Sequence, residues 1–217
     1  MHLRHFGRAL FLSVSLLFTS AACAEAVQVD AGKQWTLDGD ASSLSFVSVK
    51  ATQVGEAHKF GSLSGGVSLK TLDDGSAGGE VNIAVDLTSV NTNIAIRDER
   101  MREHLFETAK YPLANVRGHL PVADFLALPS GSSTRSTLKL MLDLHGAEVP
   151  FAADVLVSRL SDSRLVVAST TPVVLSVASF DLVAGVEKLR ELAGLPSIAG
   201  AVPVSFVLTL NNTQVAE

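Results

Sequence analysis

Runs in which every second residue is apolar constrain this chain more than any other feature. Val81, Ile83, Val85 and Leu87 alternate with Asn82, Ala84 and Asp86. Leu138, Leu140, Leu142 and Leu144 alternate with Lys139, Met141 and Asp143, and Phe151, Ala153, Val155 and Val157 with smaller or polar partners. Val202, Val204, Phe206, Leu208 and Leu210 repeat the pattern near the end of the chain. Successive side chains of a strand point to opposite faces, so alternation of this length predicts strands with one face buried. Further strands are predicted at 34–37, 44–50, 66–70, 114–122, 164–170 and 173–176.

Turn chemistry separates the runs. Asp73-Asp74-Gly75-Ser76 with Gly78-Gly79 predicts one loop, and Pro129-Ser130-Gly131-Ser132-Ser133 another. His145-Gly146 joins two alternating runs as a hairpin would. Two segments break the alternation. The charged stretch Ile96 to Thr108 predicts a short helix, ended by Tyr111-Pro112. Leu182 to Ala193 predicts a second, with Val183, Val186, Leu189 and Leu192 at helical spacing, Asp181 as a candidate cap and Gly194 with Pro196 as the stop. Many strands and two short helices without β-α-β order predict an all-β, antiparallel barrel or sandwich in one domain.

The N-terminus predicts export. A basic head with Arg4 and Arg8 precedes the apolar run Ala9 to Phe18, and small residues Thr19 to Ala24 follow. That order is a secretory signal, and the run is shorter than the roughly 20 residues a spanning helix needs. The expected division is a signal peptide at 1–24, a polar lead at 25–34 and a barrel domain at 35–217, with no transmembrane span after cleavage. Two exits stay open. Ala22-Cys23-Ala24 fits A-x-A cleavage after Ala24 and a periplasmic product, whereas lipidation of Cys23 would leave an anchored lipoprotein. Cleavage is preferred, because Ser20 stands where lipoprotein signals usually carry Leu. Cys23 is the single cysteine, so the mature chain holds no disulfide and its stability must come from packing. The leader takes two of the 17 Lys+Arg and none of the 22 Asp+Glu, which leaves a mature net charge of −7. An acidic chain argues against nucleic-acid binding.

Catalytic and metal signatures are weak. His58, His104, His119 and His145 form no H-x-H or H-x-x-x-H pair, so no metal site is expected. Gly61-Ser-Leu-Ser-Gly65 places Leu63 where a nucleophile elbow needs serine, and no phosphate-binding glycine loop appears. No catalytic residue and no cofactor is therefore assigned. Lys50, Glu56 and His58 are expected to meet, if at all, as a solvated polar group at a rim.

Six blocks, in order, resemble one family. They are Trp35-Thr-Leu-Asp38; Ser43-Leu-Ser-Phe46; Phe60 with Gly65-Gly66; Val85 to Thr92; Arg97-Asp98 with Arg102, Phe106 and Tyr111-Pro112; and Leu142 to Gly146 followed by Val149-Pro-Phe151. Together they are similar to the YceI-like family of exported bacterial proteins. The resemblance implies a lipocalin-like, eight-stranded barrel, a long isoprenoid or isoprenoid quinone as bound lipid, and a homodimer among the assemblies. Arg100-Met101, Lys50 and the Glu56-x-His58-x-Phe60 stretch depart from the commoner members and point to a subgroup.

An eight-stranded barrel is just wide enough to be filled by side chains or to hold one slender ligand. Inward parity and size make Phe46, Phe60, Val85, Phe106, Leu140, Phe151 and Phe206 the expected lining. Arg97 is either a contact at the barrel mouth or, by the plainer reading, half of a helix-start pair with Asp98. Alternation reads the same in a hollow and a filled barrel, so three functions stay open. They are a lipid carrier, a structural or stress-response module with a solid core, and, more weakly, an enzyme acting on a bound lipid.

Overall fold

The computed structural model describes residues 33–71, 75 and 77–214. The proposed signal peptide and Cys23 lie outside the described residues.

The strands are β1 (Lys33–Leu37), β2 (Ser43–Lys50), β3 (Val54–Phe60), β4 (Leu63–Thr71), β5 (Ala77–Asp86) and β6 (Val90–Asn91). They continue as β7 (Leu113–Pro121), β8 (Ser133–Leu144), β9 (Ala147–Ser161), β10 (Arg164–Ser169), β11 (Val173–Ser176) and β12 (Ala201–Gln214). Four pairs are each one interrupted stave: β1 with β2, β3 with β4, β5 with β6, and β10 with β11. The eight resulting staves follow one another round the wall in chain order, every contact antiparallel. β12 closes the ring, pairing with β10 and β11 along one edge and with β1 and β2 along the other. The sheet thus closes on itself, and the fold is the eight-stranded antiparallel barrel.

The interruptions are patched by side chains. Between β3 and β4, Gly61 N–H and Ser62 N–H both donate to Ser89 Oγ at 3.0 Å, and Gly61 N–H also donates to the Ser89 carbonyl at 3.0 Å. Between β1 and β2, Thr209 N–H donates to Ser42 Oγ and Thr209 Oγ1 donates to the Ala41 carbonyl, each at 2.9 Å. The expected hairpin at 145–146 is a two-residue turn: Leu144 pairs with Ala147, and His145 and Gly146 have φ of 55° and 81°. Positive φ at both positions matches the twist of the flanking strands.

The staves divide the loops between two ends. At the upper end lie the β2–β3 turn, residues 87–112, the 145–146 turn and residues 177–200. Two helices pack there. α1 (Ala95–Arg100) runs into a π turn at Met101–Leu105, closed by Phe106 N–H to the Met101 carbonyl. The wider turn lets Met101, Leu105 and Phe106 all bury. A longer helix named α3 (Val183–Leu192) lies on that turn, with Gly185 so near the His104 carbonyl that a Cβ would stand 2.5 Å from it. At the lower end a single turn, α2 (Ala123–Leu126), crosses the base.

Several expectations need correction. Gly78 and Gly79 are not loop: they pair with Lys70 and Leu69 on one side and Pro121 and Leu120 on the other. Neighbours closing from both sides impose extended structure that composition does not reveal. The helix expected at 96–108 is α only to Arg100. Asp181 does not cap α3; it takes a left-handed conformation (φ 55°) that ends a 3-10 turn, and Leu182 stands at the cap. The strand β3 and the turn α2 are additional to the sequence reading.

Candidate functional site: an apolar cavity with a polar mouth

The inward faces of the staves enclose a cavity of about 570 Å³ that runs from the upper loops to α2. This lies within the range of small-molecule sites. Residues expected to line the barrel stand on its wall: Phe46, Phe60, Val85, Phe106, Leu140, Phe151 and Phe206. Leu140 faces Phe151 in register, and Leu44 sits between Phe206 and Phe60 on successive staves. Phe60, Leu140, Phe151 and Phe206 point inward yet remain only partly buried, whereas Val155 and Val157, at 1% and 2% exposed, are fully packed. Inward side chains that keep accessible surface are the mark of a hollow interior; close packing would have covered them.

The lower end of the cavity is apolar. Val122, Phe125 and Leu126 close it, and Arg159, reaching across, donates from Nη1 to the Leu126 carbonyl. Trp35 lines the same end, 3% exposed, with its indole N–H lacking a protein acceptor.

The upper end is different. On β2 and β3 the even-numbered residues share the inner face, so Phe46, Ser48 and Lys50 meet Glu56, His58 and Phe60 across the hairpin. The expected rim group is therefore real, but it is not freely solvated. His58 is 4% exposed, and its Nε2 lies 2.9 Å from Ser48 Oγ. Burial, then the nearby Arg97 charge, holds its pKa below the ordinary value. The His58 ring is neutral at pH 7, and its Nδ1 is buried without a protein partner. An unmet buried polar atom costs about 1–3 kcal/mol. Glu56 accepts from Lys50 Nζ at 2.8 Å and from Arg97 Nη1 at 2.5 Å. These cations, Lys50 foremost, lower its pKa.

Arg97 and Asp98 do not serve as a pair with each other. Arg97 reaches Glu56 and, from Nη2, the Thr92 carbonyl at 2.8 Å; Asp98 Oδ1 accepts from Thr92 N–H at 2.8 Å and from Thr92 Oγ1. Together they staple the β2–β3 hairpin, β6 and α1 at the mouth. Ile94 and Ile96, about half exposed, also line the cavity and mark its entrance. Hydrophobic patterning overlooked β3 because its inward face near the mouth carries Glu56 and His58. Parity along Val54 to Phe60 was the available signal.

The geometry is that of a lipocalin-like barrel with an internal apolar cavity. Residues 35–210 match the family model described as the YceI-like domain, and the chain belongs to that family. It is similar to a polyisoprenoid binding domain from Saccharophagus degradans implicated in plant cell wall breakdown, at 40% identity and a TM-score of 0.77, covering 82% of this chain and 98% of that one. BcnA of Burkholderia cenocepacia shares the fold at 18% identity and a TM-score of 0.59, over 80% of this chain and 98% of that one. No curated protein matches the chain. Among the described residues no helix is long and apolar enough to cross a membrane, and no cluster of three potential metal ligands occurs.

Proposed function

We propose that this protein is an exported carrier that holds a long isoprenoid chain, free or as the tail of a quinone, inside its barrel. The observation that carries the proposal is the continuous apolar cavity of about 570 Å³, lined by aromatic and aliphatic side chains that keep accessible surface. Such a lining gains roughly 25 cal/mol per Å² of ligand surface withdrawn from water, and a slender hydrocarbon uses an elongated cavity best. The relative from Saccharophagus degradans, named for polyisoprenoid binding, supports the same ligand class. Export to the periplasm rests on the signal-like sequence of residues 1–24. Binding without chemical turnover needs no catalytic residue; in this reading the seven lining residues play a purely apolar role and Arg97 holds the mouth.

The test is native mass spectrometry of the protein purified from its own host, followed by organic extraction. A stoichiometric apolar species is expected. A protein that carries none and takes up neither isoprenoid quinone nor isoprenoid hydrocarbon overturns the proposal. Replacing Phe60→Trp and Phe206→Trp together, on the staves that flank β2, narrows the cavity and should reduce the bound lipid several-fold.

A further inference from the structure

We propose that the closed lower end of the cavity holds a hydroxyl site between Trp35 and Asn212, so that the preferred cargo is an isoprenoid chain hydroxylated at its inner end. The inference rests on the carrier reading above and deepens it. Trp35 lines the lower part of the cavity and is 3% exposed, and its indole N–H has no protein acceptor. Among the described residues, the other polar ones on the cavity wall are Ser48, Lys50, His58, Arg97, Arg100 and Ser176, all toward the upper end. Around the indole the wall is apolar, with Val67 opposite Trp35 on β4 and Val122, Phe125 and Leu126 beneath, and none of these side chains can accept its proton.

Asn212 supplies the matching half. It stands opposite Trp35 in the β1–β12 pair. Opposite residues of an antiparallel pair share one face, with Cβ atoms about 5 Å apart. Asn212 Oδ1 is also buried without a protein partner. A free donor and a free acceptor thus lie side by side without bonding each other, and both are open to a third group. A hydroxyl satisfies both at once, accepting from Trp35 Nε1–H and donating to Asn212 Oδ1. A carbonyl meets only the indole, and a methyl meets neither. A carboxylate would set two acceptors against each other and bring charge into an apolar end. Arg159, two staves from β12, also keeps a buried Nε without a protein partner, but it lies off the cavity wall with Nη1 on the Leu126 carbonyl, so it offers no counter-ion there. A water would find only two polar partners in this end, whereas a ligand hydroxyl arrives on a chain that fills the space above.

Trp35 is the protein's single tryptophan, so its indole N–H gives one nitrogen NMR signal to follow. The experiment titrates the full mature protein with isoprenoid chains of stepped length, alike at the outer end and finishing at the inner end in methyl, aldehyde or hydroxyl. At the length that reaches the floor, the hydroxyl-ended chain should bind about tenfold tighter than the methyl-ended one, with the aldehyde between them. The indole signal should move farther downfield with hydroxyl and aldehyde than with methyl. Trp35→Phe, which keeps an aromatic ring and loses the N–H, should remove most of the hydroxyl advantage. Asn212→Leu should level hydroxyl with aldehyde. In both variants, unchanged binding of the methyl-ended chain reports an intact barrel. Equal binding of hydroxyl- and methyl-ended chains at every length, an indole signal that moves alike with all three, or a full advantage retained in Trp35→Phe overturns the site. Those outcomes leave the carrier standing, whereas failure of every chain to bind overturns the carrier itself.

Discussion

At the upper end of the barrel, a long cover of two helices and a π turn sits on polar side chains; at the lower end, a single helical turn sits on apolar ones. The upper cover is anchored by large buried groups: Phe180 at 2% exposed, and the buried Leu182, Val186, Met101 and Phe106. The lower turn contributes no buried residue of its own, and is held chiefly by Val122 before it and by Arg159 across it. The contrast extends to ion pairs. Lys50, Glu56 and Arg97 are each about a third exposed or less, whereas Lys70 and Glu80, toward the lower end, meet at 3.3 Å in the open. A closed end can be simple, since it only has to exclude water. An end that carries buried polar groups needs them locked by packing and by each other.

The comparison is open to direct attack. Truncating the upper anchor, Phe180→Ala, should cost about 3–5 kcal/mol, because the fully buried ring leaves a cavity. Truncating the lower plug, Phe125→Ala, should cost about 1–2 kcal/mol, since only part of that ring is withdrawn from water. Urea denaturation of both variants checks the order, and equal losses would break the contrast.

Acid should act on the upper end first. His58 has a folded pKa below its ordinary 6.5, so the unfolded chain takes up that proton more readily and stability falls as pH drops below about 6.5. Glu56 has a folded pKa below its ordinary 4.5, so its contribution is present above 4.5 and is lost as pH falls through the folded value. Denaturation midpoints across the acid range should therefore show His58→Leu gaining on the unaltered protein below about pH 6.5. The deficit of Glu56→Gln should close at lower pH. A parallel acid limb in all three proteins would remove this cluster from the account.

The smallest effect belongs to the exposed pair. Lys70→Ala should change stability by about 0.5 kcal/mol or less, since solvent screens the charges and both side chains give up freedom to meet. A larger loss would mean that the lower end, too, depends on its charges.

Much of this was legible in order of residues alone. Alternation in Val81 to Leu87, Leu138 to Leu144 and Phe151 to Val157 is a local property, set by the pleat, and it carried the strands, their inward faces and the hairpin at His145-Gly146. Parity along those strands also selected Val85, Leu140 and Phe151 as inward residues. What tertiary structure alone decided depends on closure. Whether the inward residues fill the barrel or leave about 570 Å³ between them is a matter of radius, which no single strand encodes. The pairing of Arg97 with Glu56 joins positions 41 residues apart, and the burial of His58 follows only once β3 is folded beneath α1. Periodicity determined which side chains face inward; the closed ring decided what space they face, and which polar atoms were left at its mouth.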